Sequence, residues 1–66
     1  MEGLQLDIEA IRVMMKLSRK EMADKLGVNL DRYNRLATGD TKMLATELIT
    51  LHQISGVSYE NITVKA

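Results

Sequence analysis

Two arginines three residues apart, Arg32 and Arg35, are the side chains of this sequence best suited to specific recognition. A guanidinium carries its N–H donors in a planar fork, so each arginine can grip a pair of acceptors such as O6 and N7 of guanine. Asp31 can accept a hydrogen bond from cytosine N4. It also stands four residues before Arg35, where an ion pair along a helix can orient or neutralise that arginine. This chemistry requires a helix that turns these side chains towards solvent.

The pattern of residues 18–38 predicts two short helices joined by a tight turn. Ser18 and Glu21 have the spacing of a capping box, and Gly27 suits the left-handed residue that follows a helix end. Asn29 is a good N-cap for the second helix, and Gly39 is expected to end it. The apolar residues of this second helix recur on one face, which is expected to point inward: Leu30, Tyr33, Leu36 and Ala37.

Three more helices are expected around this pair. Apolar residues at helical spacing predict a first helix over about 7–16, with Asp7 as its N-cap, and a further helix over about 43–54. Ser58 is expected to cap a short last helix over about 58–62, and residues 1–6 are expected to be a loose lead-in. The tail from Ile62 can be a short strand or a frayed end. The expected fold is an all-α, compact bundle of about five short helices that forms one domain over residues 1–66.

Composition limits the class of protein. The chain has 66 residues, no cysteine, no proline and zero formal net charge. Without cysteine, neither a disulfide nor a thiolate metal site can form, so a reducing compartment is the expected setting. No apolar run is long enough for a membrane span, and no basic-then-apolar leader opens the sequence, so we expect no membrane partner.

Catalytic patterns are missing from the sequence. His52 is the single histidine and has no cysteine or carboxylate at metal-ligand spacing, so it is expected to be a surface or half-buried residue. The sequence has no glycine-rich phosphate loop and no recognisable nucleophile with its base. We therefore expect no enzyme activity, no cofactor, no metal and no small-molecule substrate.

The segment from Leu17 to Val28 resembles the phage repressor and Cro family, which includes many small bacterial XRE-type regulators. It matches that family's order of hydrophobe, Ser/Thr, polar, any, Glu, hydrophobe, Ala, any, any, hydrophobe, Gly and Val. A weaker resemblance extends from about Ile8 to Ile62. The resemblance implies a lambda-repressor-like DNA-binding domain, in which the first motif helix crosses the DNA backbone and the second enters the major groove.

The resemblance implies base contacts from Leu30, Asp31, Arg32 and Arg35. With the other polar and basic side chains of the motif, the residues expected to contact double-stranded DNA are Ser18, Arg19, Lys20, Asn29, Leu30, Asp31, Arg32, Asn34, Arg35, Thr38 and Lys42. Leu30 is apolar at a usually polar position, so it can touch a thymine methyl, pack inward or face a protein partner.

The sequence departs from the family pattern at three further places. Ala37 replaces the glutamate that usually pairs with the arginine at the position of Arg12, so Arg12 is expected to pair with Glu9 or Glu47, or to be solvated. Asp40 and Met43 stand where the family often has lysine and proline.

The expected function is that of a sequence-specific transcription regulator in the cytoplasm of a bacterium or a phage-infected host. It would be a small phage or prophage Cro-like repressor, bound as a homodimer to a palindromic operator. The expected dimer interface is Ile49, Val57, Tyr59 and Ile62. The alternative is a protein-binding modulator, an antirepressor that docks on a partner repressor. The zero net charge, the acidic Asp31 and Asp40, and the apolar Leu30 favour this alternative.

Overall fold

The computed structural model describes residues 5–64, and it is an all-α globule of four helices and one 3-10 turn. The helices are α1 (Ile8–Met14), α2 (Arg19–Leu26), α3 (Leu30–Thr38) and α4 (Ala45–Ser55), and the 3-10 turn follows at Tyr59–Asn61. None of the helices within these residues is long and apolar enough to cross a membrane.

The connection between α2 and α3 forms as the sequence predicts. Ser18 Oγ accepts from the backbone N–H of Glu21, and the Glu21 carboxylate accepts from the N–H of Ser18, so the capping box is complete. Gly27 ends α2 with a φ of 77°, a left-handed conformation that glycine adopts without strain. Asn29 then caps α3 by accepting from the N–H of Arg32. The two helices are therefore separated by three residues, 27–29.

The first helix is shorter than the predicted 7–16. Asp7 caps it as expected, because its carboxylate accepts from the N–H of Ala10. The helix ends at Met14, and Lys16 takes a positive φ of 61° that a continuing right-handed helix does not allow.

The second half of the chain corrects two predictions. The predicted helix over 43–54 begins only at Ala45, where Leu44 occupies the N-cap position and the Glu47 carboxylate accepts from its N–H. The predicted helix over 58–62 is wrong, because a 3-10 turn of three residues forms there and Ile62 is already extended. Apolar spacing alone does not separate a short α-helix from a single turn.

The core lies between the four helices. Its least exposed large side chains are Tyr33, Ile11, Met22 and Leu51. α2 packs against α3 and α4, and α1 packs against α3. One face of α3 therefore packs against α1 and α2, and its opposite face is turned towards solvent.

The two ends of the described chain lie side by side. Leu6 forms a parallel bridge with Ile62, in which the N–H of Leu6 donates to the Asn61 carbonyl over 2.8 Å and the N–H of Thr63 donates to the Leu6 carbonyl over 2.9 Å. The expectation of a loose lead-in is therefore wrong at Leu6. Its part over residues 1–4 lies outside the described residues.

Candidate functional site

The outward face of α3 is the candidate recognition surface, which we define as Leu30, Asp31, Asn34, Arg35 and Thr38. Leu30, Asp31, Arg35 and Thr38 are exposed, whereas Asn34 is half-buried. The exposure of Leu30 removes the option that this side chain packs inward.

Arg35 is the most accessible guanidinium on this surface. Its side chain is 62% exposed, and its Nε lies 3.3 Å from a carboxylate oxygen of Asp31. An exposed ion pair of this kind contributes little free energy and is screened by salt. Asp31 therefore orients Arg35 without preventing it from binding another acceptor.

A shallow, open depression lies beside Arg35. It has a volume of about 260 Å³, and its lining residues are Asp31, Asn34, Arg35, Thr38 and Asp40. One guanidinium with two carboxylates gives this depression both donors and acceptors. Such a mixture suits the edge of a base pair better than it suits a bare phosphate.

Arg32 does not lie on the solvent side of α3, where the helical pattern of the sequence predicts it. Its Nε donates to Glu47 over 2.6 Å, and its Nη2 donates to the other oxygen of the same carboxylate over 2.9 Å. The Arg32 side chain is 31% exposed, and that of Glu47 is 7% exposed. The expectation for Arg32 is corrected because a partner fifteen residues away holds its guanidinium against the start of α4.

The free-energy cost of breaking this pair is at least as large as the gain from a contact between Arg32 and a base. Withdrawing the arginine would leave a buried carboxylate without its cation, at a cost of about 3 kcal/mol, the lower end for buried pairs. A bidentate contact with guanine contributes about 1 to 3 kcal/mol of discrimination. The hydrogen bonds from Arg32 also lower the pKa of Glu47 although burial opposes this, so the carboxylate stays charged at neutral pH.

Glu9 joins the first three helices behind the recognition surface. Its carboxylate accepts from Arg12 over 2.7 Å, from Arg19 over 2.8 Å and from the Tyr33 hydroxyl. Burial alone would raise the pKa of Glu9, but the hydrogen bonds from Arg12, Tyr33 and Arg19 outweigh it and lower the pKa to about 2. Of the three possibilities for Arg12, the structure shows the pair with Glu9, and Arg12 also donates to the Leu17 carbonyl.

Cations lie at the beginning of α2 and after α3. Arg19 and Lys20 occupy the first turn of α2, and Lys42 precedes α4; all three are exposed. Arg19 connects α2 to the recognition surface, because its Nη1 lies 3.4 Å from the side-chain oxygen of Asn34.

The remaining predicted contacts are partly used within the fold. The Ser18 hydroxyl and the Asn29 amide oxygen accept from the helix N-termini, which leaves the Ser18 O–H and the Asn29 NH₂ as donors. Thr38 donates its hydroxyl to the Arg35 carbonyl over 3.3 Å, a long bond that leaves its oxygen free to accept.

The predicted dimer interface does not form one exposed patch. Ile49 and Tyr59 are exposed, but Val57 is half-buried against the core. Ile62 is 7% exposed and belongs to the core, so it cannot offer its side chain to a second copy without opening the fold. The Tyr59 ring stacks on His52 with centroids 4.1 Å apart.

The role of Glu47 is not evident from the sequence. There it is a possible partner for Arg12, whereas the structure pairs it with Arg32. No local spacing reveals a contact between residues fifteen positions apart on different helices. By contrast, the three-residue spacing of Glu9 and Arg12 on one helix is a usable signal.

The described residues offer no alternative site based on a metal. Between residues 5 and 64, no group of three or more histidine, cysteine or acidic side chains could hold a metal ion. Comparison of the chain with protein-family models, curated proteins and solved structures finds no match.

Proposed function

We propose that this protein is a sequence-specific DNA-binding transcription regulator that places α3 in the major groove. The observation that carries the proposal is the exposed guanidinium of Arg35 on the outward face of a capped helix. Asp31 orients this guanidinium, and the three-residue turn 27–29 sets α3 against α2. In this arrangement Arg35 reads guanine, and Asp31 accepts from a neighbouring cytosine. The lambda-repressor-like fold and the resemblance to Cro-type regulators belong to this proposal.

Phosphate contacts come from the first turn of α2. Arg19 and Lys20 are basic residues at the positive end of a helix dipole, where a cation is unfavourable. Glu9 already supplies counter-charge to Arg19 over 2.8 Å. A DNA backbone that crosses this end of α2 would offset the cost for Lys20, because its phosphates supply the missing counter-charge. Lys42 supplies a further cation beyond α3.

The zero net charge of the chain limits the affinity of a single protein molecule for DNA. Residues 18–42 contain six cationic and four anionic side chains, so the excess of positive charge near the DNA is small. We therefore propose a homodimer on a palindromic operator, with the two α3 helices about 34 Å apart, one turn of the duplex. As a small Cro-like repressor, it would act by occupying promoter DNA.

The experiment is a mobility-shift titration at low salt, first with random duplex and then with duplexes selected from a random pool. Arg35→Ala is expected to weaken binding to the selected duplex about tenfold or more, since it removes a bidentate base contact. Lys25→Ala is the matched control, because it removes an exposed cation from the last turn of α2, away from Arg19 and Lys20. Equal binding by wild type and Arg35→Ala would contradict the proposed role of α3.

A second function, docking on another regulator, is favoured by one specific observation. The pairs Arg32–Glu47 and Arg35–Asp31 neutralise both arginines of α3, and Leu30 is exposed beside them. A nearly neutral surface with an exposed leucine suits a protein partner better than a polyanion. This alternative, a modulator of repression, is supported if the wild-type protein retards no duplex at low salt. It would then be expected to bind a partner repressor and to lose that binding in Leu30→Glu.

A further inference from the structure

The Arg32–Glu47 pair holds the guanidinium of Arg32 at the start of α3, where it is not free to contact DNA. Both oxygens of Glu47 are engaged by Arg32, and one of them also accepts from the N–H of Leu44 over 2.7 Å. Glu47 is the single charged residue among the buried side chains of the described part of the chain. The Glu47 carboxylate therefore accepts three hydrogen bonds from within the protein and has little access to water.

We propose that Glu47 is a positioning residue that acts through Arg32: it withholds this cation from the DNA and so sets the overall affinity of the protein for a duplex. This inference rests on the proposed function of α3. Because Glu47 neutralises Arg32, the residues that recognise the base sequence are Arg35 and Asp31. The non-specific attraction of the protein to DNA phosphates is reduced by one positive charge. Glu47 thus lowers the affinity for any duplex and leaves the discrimination at the α3 surface intact.

The geometry indicates that Glu47 does more than fill space, because its carboxylate binds the guanidinium of Arg32. An apolar residue would fill the same space at the N-terminus of α4, whereas a carboxylate selects and binds a guanidinium in a forked geometry. Arg32 stands at the third position of α3, one turn before Arg35. A free guanidinium there would lie within the reach of the same duplex.

The test is the salt dependence of binding to random duplex for four proteins: wild type, Glu47→Gln, Arg32→Met and the double variant. The slope of log K against log[salt] steepens by about 0.9 for each additional phosphate that the protein neutralises. We expect Glu47→Gln to bind more tightly than wild type and to have a slope steeper by about one. We expect Arg32→Met to abolish that increase in the Glu47→Gln background and to leave the slope unchanged in the wild-type background.

Glutamine at position 47 can still accept from the Leu44 N–H, so the start of α4 is retained. Circular dichroism and thermal unfolding report whether each variant is folded. If Glu47→Gln alone does not fold, Glu47→Met is the second variant, because methionine has a similar length and releases Arg32 without leaving a polar group in the buried site. Its slope is then expected to be steeper than that of wild type by about one.

Two results would overturn the inference while leaving the proposed function in place. One is a slope in Glu47→Gln that equals or falls below that of a wild-type protein that binds DNA. The other is a shallower slope in the double variant, which would show that Arg32 contacts phosphate in the native protein. Absence of retardation for all four proteins would overturn both the inference and the proposed function.

Discussion

At the scale of single residues, the half-buried carboxylate of Glu9 connects three helices. Glu9 accepts from Arg12, Arg19 and Tyr33, which belong to α1, α2 and α3. A hydrogen bond to a charged group contributes about 1.5 to 3 kcal/mol, more than a neutral one. The orientation of α3 therefore depends on one carboxylate on α1.

Stability is expected to fall as the solution becomes acidic. The folded-state pKa of Glu9, about 2, lies below the usual value of 4.5, so the unfolded chain binds the proton more readily. The stabilisation is complete above about pH 4.5 and is lost as the pH falls towards 2. Urea unfolding from pH 6 to pH 2.5 measures this loss, to which the lowered pKa of Glu47 also contributes.

Glu9→Gln is expected to reduce the free energy of unfolding by about 2 kcal/mol at pH 7 and to flatten the acid dependence. Glu60→Gln is the control, because Glu60 is an exposed carboxylate of the 3-10 turn and its loss is expected to change stability little. The same stability for wild type and Glu9→Gln at pH 7 would show that Glu9 does not hold the three helices together.

At the scale of elements, the turn between α2 and α3 decides where the recognition surface points. Gly27 has a φ of 77°, and a Cβ added there would meet no atom within 4 Å. The requirement for glycine is therefore one of backbone conformation and not of space.

Gly27→Ala is expected to lower the free energy of unfolding by about 1 kcal/mol, the cost of placing an L-residue in the left-handed region. Gly27→Asn is expected to cost less, since asparagine adopts this conformation more readily. Denaturant unfolding of both variants checks the order. If Gly27→Asn lost more free energy of unfolding than Gly27→Ala, neighbouring atoms would have to exclude the longer side chain. That result would contradict the open space around Gly27 in the structure.

At the scale of the whole molecule, the small core is closed by contacts between residues far apart in the chain. A domain of 66 residues has a total stability of roughly 3 to 10 kcal/mol. Ile62 belongs to the core cluster, and its bridge with Leu6 holds the chain beyond α4 against the strand-like segment before α1. One side chain near the end of the sequence therefore has a large share in the stability.

Ile62→Ala is expected to destabilise the protein by about 2 to 4 kcal/mol through the cavity that it leaves. The exposed Ile49 is the matched control: Ile49→Ala is expected to change stability by less than about 1 kcal/mol. Thermal unfolding gives the difference, and sedimentation shows whether either variant changes association. If Ile62→Ala weakened association but not stability, the side chain would belong to an interface, as the sequence predicts.

Local sequence was sufficient for the features that depend on neighbouring residues. The capping box of Ser18 and Glu21, the left-handed Gly27 and the N-cap Asn29 were all predictable, because their donors and acceptors lie within three or four positions along the chain. The inward direction of Tyr33 followed from helical periodicity in the same way. These features determined that two short helices meet at a three-residue turn.

Only the tertiary structure decided which charges remain available on that pair of helices. Arg32 and Arg35 look alike in sequence, yet α4 brings a buried carboxylate to Arg32 and leaves Arg35 in solvent. The burial of Ile62 likewise depends on Leu6, which lies at the opposite end of the described chain. The physical reason is the same for both: a long-range contact depends on how helices pack, and no spacing along the chain encodes it.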